Sequence, residues 1–495
     1  MSSSVQSLVP QAHLSRPDDG DEIEMAGGLE SRMEPLQRVV TAATTPTSEN
    51  AEDEISTWKS VTIVISSFTI VFVCCGLNFA FGVYQALFEE YAEQPDNPFT
   101  GATPAQIDLI GTLGISFMTI GAPFAVAWAK LFSPRKVAFI GGLIFGLSLV
   151  LASFGTKLWH FQMTQGFLLG IGTCLSYMVA VTVAPTWFTS RRGLAMGIIL
   201  SGTGVGGLVW APSMTASVEH MGFRNTLRVS GAFSAVCVAA ASMALGWEPA
   251  TRRALEAERA ARTSSRASGM LKVPLLDVRV ARTRKFAAQA LGAVLQSAAY
   301  YTPVFFFASY ARTLGYGPAA GANFIAVSNA CNAVGKIAIG HAADRVGRLN
   351  LLFLTTLMSA IVTVAFWLPS TLYPYDGGAG GGARGLFVAF TVFYGIFASA
   401  YVSLFPTSLV ELFGTQNFAS VNGVLYMVRG MATMIGTPVG GALIRSSAAG
   451  LGPKTYEGMS VLVSVLLFGA AVAVLWVRAE AMISHDGTRV WKWRL

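Results

Sequence analysis

The sequence predicts an all-α membrane protein, with twelve transmembrane helices in two pseudo-symmetric six-helix bundles. Three observations carry this. Hydrophobic residues make up 53% of the 495 residues and charged residues only 12%, against roughly 25% charged in a soluble domain. The apolar residues come in blocks, and a bilayer crossing needs about 20 of them in one helix. A long basic segment then divides six such blocks from six. The alternative of a soluble core would require several hundred residues of helix apolar on every side, with no amphipathic face, which the same pattern weighs against.

Taken in order, residues 1–57 are polar, carry eleven acidic side chains and no apolar run, and read as a disordered cytoplasmic tail without a signal peptide. The spans follow at about Val61–Tyr84, Gln106–Ala127, Lys136–Phe154, Phe161–Phe188, Gly193–Pro212 and Leu227–Trp247. The second six are Phe286–Tyr310, Ala319–Ala342, Leu349–Leu368, Gly385–Val410, Phe418–Leu443 and Met459–Val477. The expected domains are therefore a bundle over 58–247, a central loop over 248–285, a second bundle over 286–477 and a tail over 478–495. All five cysteines fall within spans, so no disulfide framework is implied. Neither a Cys/His metal spacing nor any cofactor motif occurs.

Of the 34 Lys and Arg, 25 fall in the tails and loops on one side of this topology and 7 on the other. The positive-inside rule then places both termini in the cytoplasm. The net charge of +7 reflects that topology and needs no nucleic-acid partner; the partners expected are a small organic anion and the lipid bilayer, with the chain a monomer. The central loop holds ten basic and four acidic residues. Its stretch Arg252–Arg266 suits a surface helix lying against anionic headgroups, or a solvated linker whose charges merely obey the rule.

Two basic residues remain, Lys336 and Arg429, both within spans, where a charge costs at least roughly 2.5–3.5 kcal/mol. Such a charge persists where it meets a ligand or a wet path, so the two point to an anionic solute. Asn329, Asn332 and Lys336 lie at i, i+3 and i+7, and Asn422, Tyr426, Arg429 and Thr433 at i, i+4, i+7 and i+11, each one helix face. Tyr300 and Tyr301 of the seventh span and Asn78 of the first complete the candidate binding set. Arg429 could instead bond carbonyls freed near Pro438, and Lys336 could snorkel to the headgroups. Phe305, Phe306 and Phe307 offer either an apolar wall or lipid-facing filler.

The halves echo one another. Pro185-Thr-Trp-Phe188 closes the fourth span and Pro406-Thr-Ser-Leu409 lies in the tenth; the fifth and eleventh both combine small residues with proline. Small residues let backbones approach, and in repeated bundles such helices are rocking surfaces.

The turn Gly340-His-Ala-Ala-Asp344-Arg345-Val-Gly347-Arg348 resembles the loop signature of the major facilitator superfamily. Asp344 can bridge Arg345, Arg348 or a neighbouring helix end and latch one side of the molecule. The counterpart Ala129–Lys136 keeps its basic end but lacks the acid. Within that superfamily Gly76–Gln85, Thr186–Gly197 and Ser201–Gly207 are similar to the monocarboxylate transporter family in its fungal-type branch. The resemblance runs from about Trp58 to Val477 and implies the major facilitator fold and secondary transport of a monocarboxylate or related anion, with a proton as second ligand. The family carries an Asp four residues before an Arg in the eighth span; here Asn332 and Lys336 stand there. Its first-span Lys falls at or next to Val83. No span holds a mid-membrane Asp or Glu, Asp108 lying near the outer end of the second, so the residues themselves draw no carboxylate proton relay. Export of a carboxylated secondary metabolite, or solute sensing without transport, are the other readings. No phosphate-cradling loop or His/carboxylate cluster suggests an enzyme.

Overall fold

The computed structural model describes residues 57–189, 191–264, 278–373, 381–444 and 452–482. Expectations for the N-terminal tail through Ser56, for 265–277 in the central loop and for 483–495 lie outside the described residues. Thr57 through the last described residue forms one compact unit, and its regular structure is helical throughout.

Among the described residues twelve crossings can be counted, although by length and apolarity alone only eight helices qualify, or nine with one bent pair. Two of the eight are runs of 51 and 62 residues, Arg192–Ser242 and Gly381–Ala442, each about twice the length of a span. Each contains one glycine in the left-handed region, Gly222 (φ 76°) and Gly414 (φ 72°), a conformation that favours glycine. The chain reverses there. Trp210 and Phe233 are 23 residues apart, about 34 Å along a continuous helix, yet their ring centroids are 5.7 Å apart. Phe405 and Tyr426 meet at the same distance across Gly414. The runs are therefore the fifth with the sixth span and the tenth with the eleventh.

The second span is the bent pair Gln106–Ile120 and Ala122–Leu131, kinked by 44° at Gly121, two residues before Pro123, whose ring opposes a continuous helix. It opens on a capping box in which Thr103 and Gln106 bond each other's backbone N–H. The eighth span is Pro318–Val346, one face of which is polar and carries Asn329, Asn332 and Lys336. The remaining spans are Thr57–Ala92 with a break at Ala80, Pro134–Ala152, Leu158–Trp187, Arg284–Thr313, Arg348–Leu372 and Glu457–Ala481.

Inside the first bundle small residues bring backbones together. A side chain at Gly76 would strike Gly206, and one at Gly146 would strike the Gly231 carbonyl and Ala235. This close packing holds helices in lipid, where no hydrophobic drive separates them from acyl chains. Large apolar side chains such as Ile65, Val236, Val334, Ile435 and Val472 point outward and are exposed, as a lipid-facing surface requires. An amphipathic helix, Pro249–Ser264, follows the sixth span, close to the expected surface helix. The Glu248 carboxylate accepts from the backbone N–H groups of Ala250 and Thr251 and so caps it. Its start lies beside Trp58, Ser133, Trp187 and Trp247, which fixes one face of the molecule, called here the basic face.

Candidate functional site

The two bundles approach most closely at two helix pairs, the fifth span with the eighth and the second with the eleventh. In the first pair a strip of glycines on the fifth span lies on the eighth in antiparallel register. Gly193 faces Gly340, Gly197 faces the Lys336 carbonyl and Gly204 faces the Asn329 carbonyl, each so close that a methyl group would collide. In the second pair Gly423 packs on Pro123, and Gly430 on Thr119 and Ile120.

Hydrogen bonds cross the same seams. Asp344 accepts from two successive backbone N–H groups at the start of the fifth span, Gly193 at 2.8 Å and Leu194 at 2.9 Å. Those donors belong to the helix's first turn and have no partner within the helix, and the positive end of its dipole favours the carboxylate. Arg348 holds Asp344 from the other side at 3.0 Å and also donates to the Thr189 carbonyl across the seam. Gly347 sits at φ 108°, a left-handed conformation that glycine readily adopts. Arg345 is exposed and takes no part: of the three partners open to Asp344, Arg348 and the helix end are the ones used. At the second pair, Lys130 donates to Ser420 at 2.7 Å, and beside it Asn422 of the eleventh span donates to Thr182 of the fourth at 2.9 Å.

Lys336 is 1% exposed and does not snorkel. Its ammonium donates to the Thr203 hydroxyl at 2.6 Å and the Leu200 carbonyl at 3.2 Å, both on the fifth span. The charge thus ties the bundles together in this conformation.

Arg429 is 5% exposed. Its Nε donates to Ser297 Oγ of the seventh span at 2.8 Å. The guanidinium carbon sits 4.8 Å from the Phe405 ring centre, 5.0 Å from Tyr426 and 5.5 Å from Tyr401, within the range of cation–π attraction. Its Nη1 is buried with no hydrogen-bond partner. A guanidinium carries its donors in a planar fork suited to a carboxylate, and leaving a buried donor unmet costs about 1–3 kcal/mol. The bonds to carbonyls near Pro438 do not form.

Around Arg429 is a cavity of only about 20 Å³, walled by Ile115, Met118, Thr119 and Tyr177 of the first bundle and Ser297, Tyr301 and Tyr426 of the second. A second of about 10 Å³ lies among Phe79, Tyr300, Asn329, Asn332 and Tyr394. Neither holds more than a water, so the centre is closed in this conformation. A cavity of about 680 Å³ lies at the basic face along helix Pro249–Ser264, away from these groups.

Of the residues expected to bind solute, Arg429, Tyr301 and Tyr426 share the first cavity, and Tyr300, Asn329 and Asn332 the second. Asn332 donates to the Tyr300 hydroxyl at 3.3 Å and keeps a buried unpartnered Oδ1. Asn422 is turned to the Thr182 seam. Asn78 is not brought to these cavities: its amide donates within its own bundle, to the Cys74 carbonyl and Thr173. Phe305 stacks on Tyr301 and Phe307 is buried, so the phenylalanine run is not simple filler. Sequence reasoning missed Ser297, Thr203 and Thr182, single hydroxyls without a pattern. Tyr401 and Phe405, at i and i+4 on the tenth span, carried a helical spacing that could have been read.

A model of the Major Facilitator Superfamily matches residues 65–382, from the first span to the start of the tenth. The chain belongs to the major facilitator superfamily. It is thereby an integral, multi-pass membrane protein of a transporter family. Among its relatives in that superfamily, the agnestins efflux protein of Paecilomyces divaricatus is 25% identical over 85% of this chain and 88% of its own length. Monocarboxylate transporter 13 of Bos taurus is 27% identical over 77% and 82% respectively. The fujikurins efflux protein of Gibberella fujikuroi is 24% identical over 77% of each chain.

Proposed function

We propose that this major facilitator is a secondary active transporter of a carboxylate-bearing organic anion. The observation that carries the reading is the buried Arg429 fork, with one arm on Ser297 and another unpartnered beside a cavity that both bundles wall. The solute carboxylate takes the free arm, and Tyr301, Tyr426 and Asn332 position the rest of it. With both bundles contributing walls, binding is coupled to their relative motion, and the site opens to one face and then the other. The seams at the basic face, Lys336 with Thr203, Asp344 with Gly193 and Leu194, and Asn422 with Thr182, are the contacts that part when that face opens. The basic face is cytoplasmic, by the distribution of Lys and Arg, and the protein works as a monomer in the plasma membrane or an organelle membrane.

The names of the relatives favour two physiological directions, monocarboxylate movement and metabolite efflux, and the same site serves both. Flux of a labelled carboxylate in proteoliposomes tests the proposal. Saturable flux lost on Arg429→Lys supports it. Binding without flux makes the protein a sensor, and flux that survives Arg429→Ala overturns the role of the arginine. An imposed pH gradient in the same vesicles reads proton coupling directly.

A further inference from the structure

The surroundings of Arg429 say more about the solute than its charge. Phe79 of the first bundle and Tyr301 of the second face each other across the central seam, with ring centres 6.1 Å apart and planes inclined by 35°. Tyr301 stacks in turn on Phe305, one helical turn further along, at 6.0 Å and 24°. Tyr301 also walls the Arg429 cavity, so the free guanidinium arm and the Phe79–Tyr301 pair adjoin. This ring contact joins the bundles, as does the edge-on contact of Tyr177 with Tyr426 at 6.3 Å, whereas Tyr301–Phe305 and the three rings over the Arg429 guanidinium belong to one bundle. When the bundles part to admit solute, Phe79 and Tyr301 separate and their faces lose their partners. A saturated chain entering the gap restores area but not ring stacking; a flat ring restores both.

From this pair and its adjacency to Arg429 we propose that the preferred solutes are aryl carboxylates, the carboxylate on Arg429 and the ring between Phe79 and Tyr301. The proposal rests on the carboxylate reading above and narrows it. The ring faces are approached edge-on or in offset stacking, and a planar substituent of one or two fused rings fits between them. The carboxylate must lie close to the ring, because Tyr301 touches both parts of the site; a long aliphatic spacer would separate them.

The test compares 2-naphthoate, benzoate, cyclohexanecarboxylate and 2-naphthamide as ligands of the purified full-length chain, by calorimetric titration. Benzoate should bind about tenfold more tightly than cyclohexanecarboxylate, the same size without a π face, given the usual strength of ring pairing. Tyr301→Leu should reduce that ratio to about twofold or less. Phe79→Leu should do the same, and serves if Tyr301→Leu does not fold. 2-Naphthamide, which lacks the charge, should not bind measurably. Equal affinity for benzoate and cyclohexanecarboxylate, or a ratio unchanged in both variants, overturns the ring proposal and leaves the carboxylate reading standing. Binding of 2-naphthamide as tight as 2-naphthoate overturns the carboxylate reading itself.

Discussion

The Lys336 ammonium lies 2.6 Å from the Thr203 hydroxyl, across the boundary between the two bundles. A charge buried within a span is stable there because the opposing bundle supplies its acceptors, Thr203 and the Leu200 carbonyl. Losing either partner therefore has unequal effects. Thr203→Val leaves a buried charge with one weak acceptor, which costs about 1–3 kcal/mol. Lys336→Met removes the charge and leaves only a neutral hydroxyl, so it should destabilise less. Melting temperatures of both single variants and the double variant check this: Thr203→Val should cost almost nothing once Lys336 is Met. Additive losses would mean that the two side chains act independently.

Asp344 collects two backbone donors and Arg348 at the basic face. Asparagine at this position keeps one acceptor and loses the charge, a loss of about 1.5–3 kcal/mol for a bond to a charged group. With spin labels at the exposed positions Arg191 and Arg345, Asp344→Asn should shift the distance distribution to longer values. An unchanged distribution would show that the carboxylate is not a latch.

Glycine at position 197 permits the seam to close, because a methyl group there meets the Lys336 carbonyl, a backbone atom that cannot swing aside. Gly197→Ala should bias the same label pair toward separation and lower flux at least about tenfold, a barrier change of roughly 1.4 kcal/mol, with expression retained. Gly82→Ala is the matched control: its nearest neighbour is Ile325 Cδ1 at 3.9 Å, so it should behave as the parent does. Equal loss in both would point to general helix damage.

The fold was legible because bilayer thickness sets span length and the loop charges set the order of crossings; both are properties of single segments. Even so, the reversals at Gly222 and Gly414 are so short that helix length alone hides two crossings. The Asp344 turn was legible as a motif, and the structure decides among its partners: Arg348 and the helix end at Gly193 and Leu194, with Arg345 left outside. Arg429 stood out as a buried charge, but the rings around it did not, since Tyr401 and Phe405 are contributed by a different span. Lys336 and Asn78 show the limit most plainly. Their types suggested a solute contact, while the partners that engage them, Thr203 and Thr173, are single hydroxyls on other helices. Pairings of that kind depend on helix packing and leave no periodic trace in the chain.

The central claim is that the free arm of Arg429 holds the solute carboxylate, and ligand-induced stabilisation of purified Arg429→Gln tests it most directly. A carboxylate at a hundredfold its dissociation constant stabilises the parent by about 2.7 kcal/mol, visible as a raised melting temperature. Glutamine keeps one hydrogen bond within reach of Ser297 and removes the charge, so the variant should remain folded and show no shift with the carboxylate that the parent transports. A shift equal to the parent's would contradict the account.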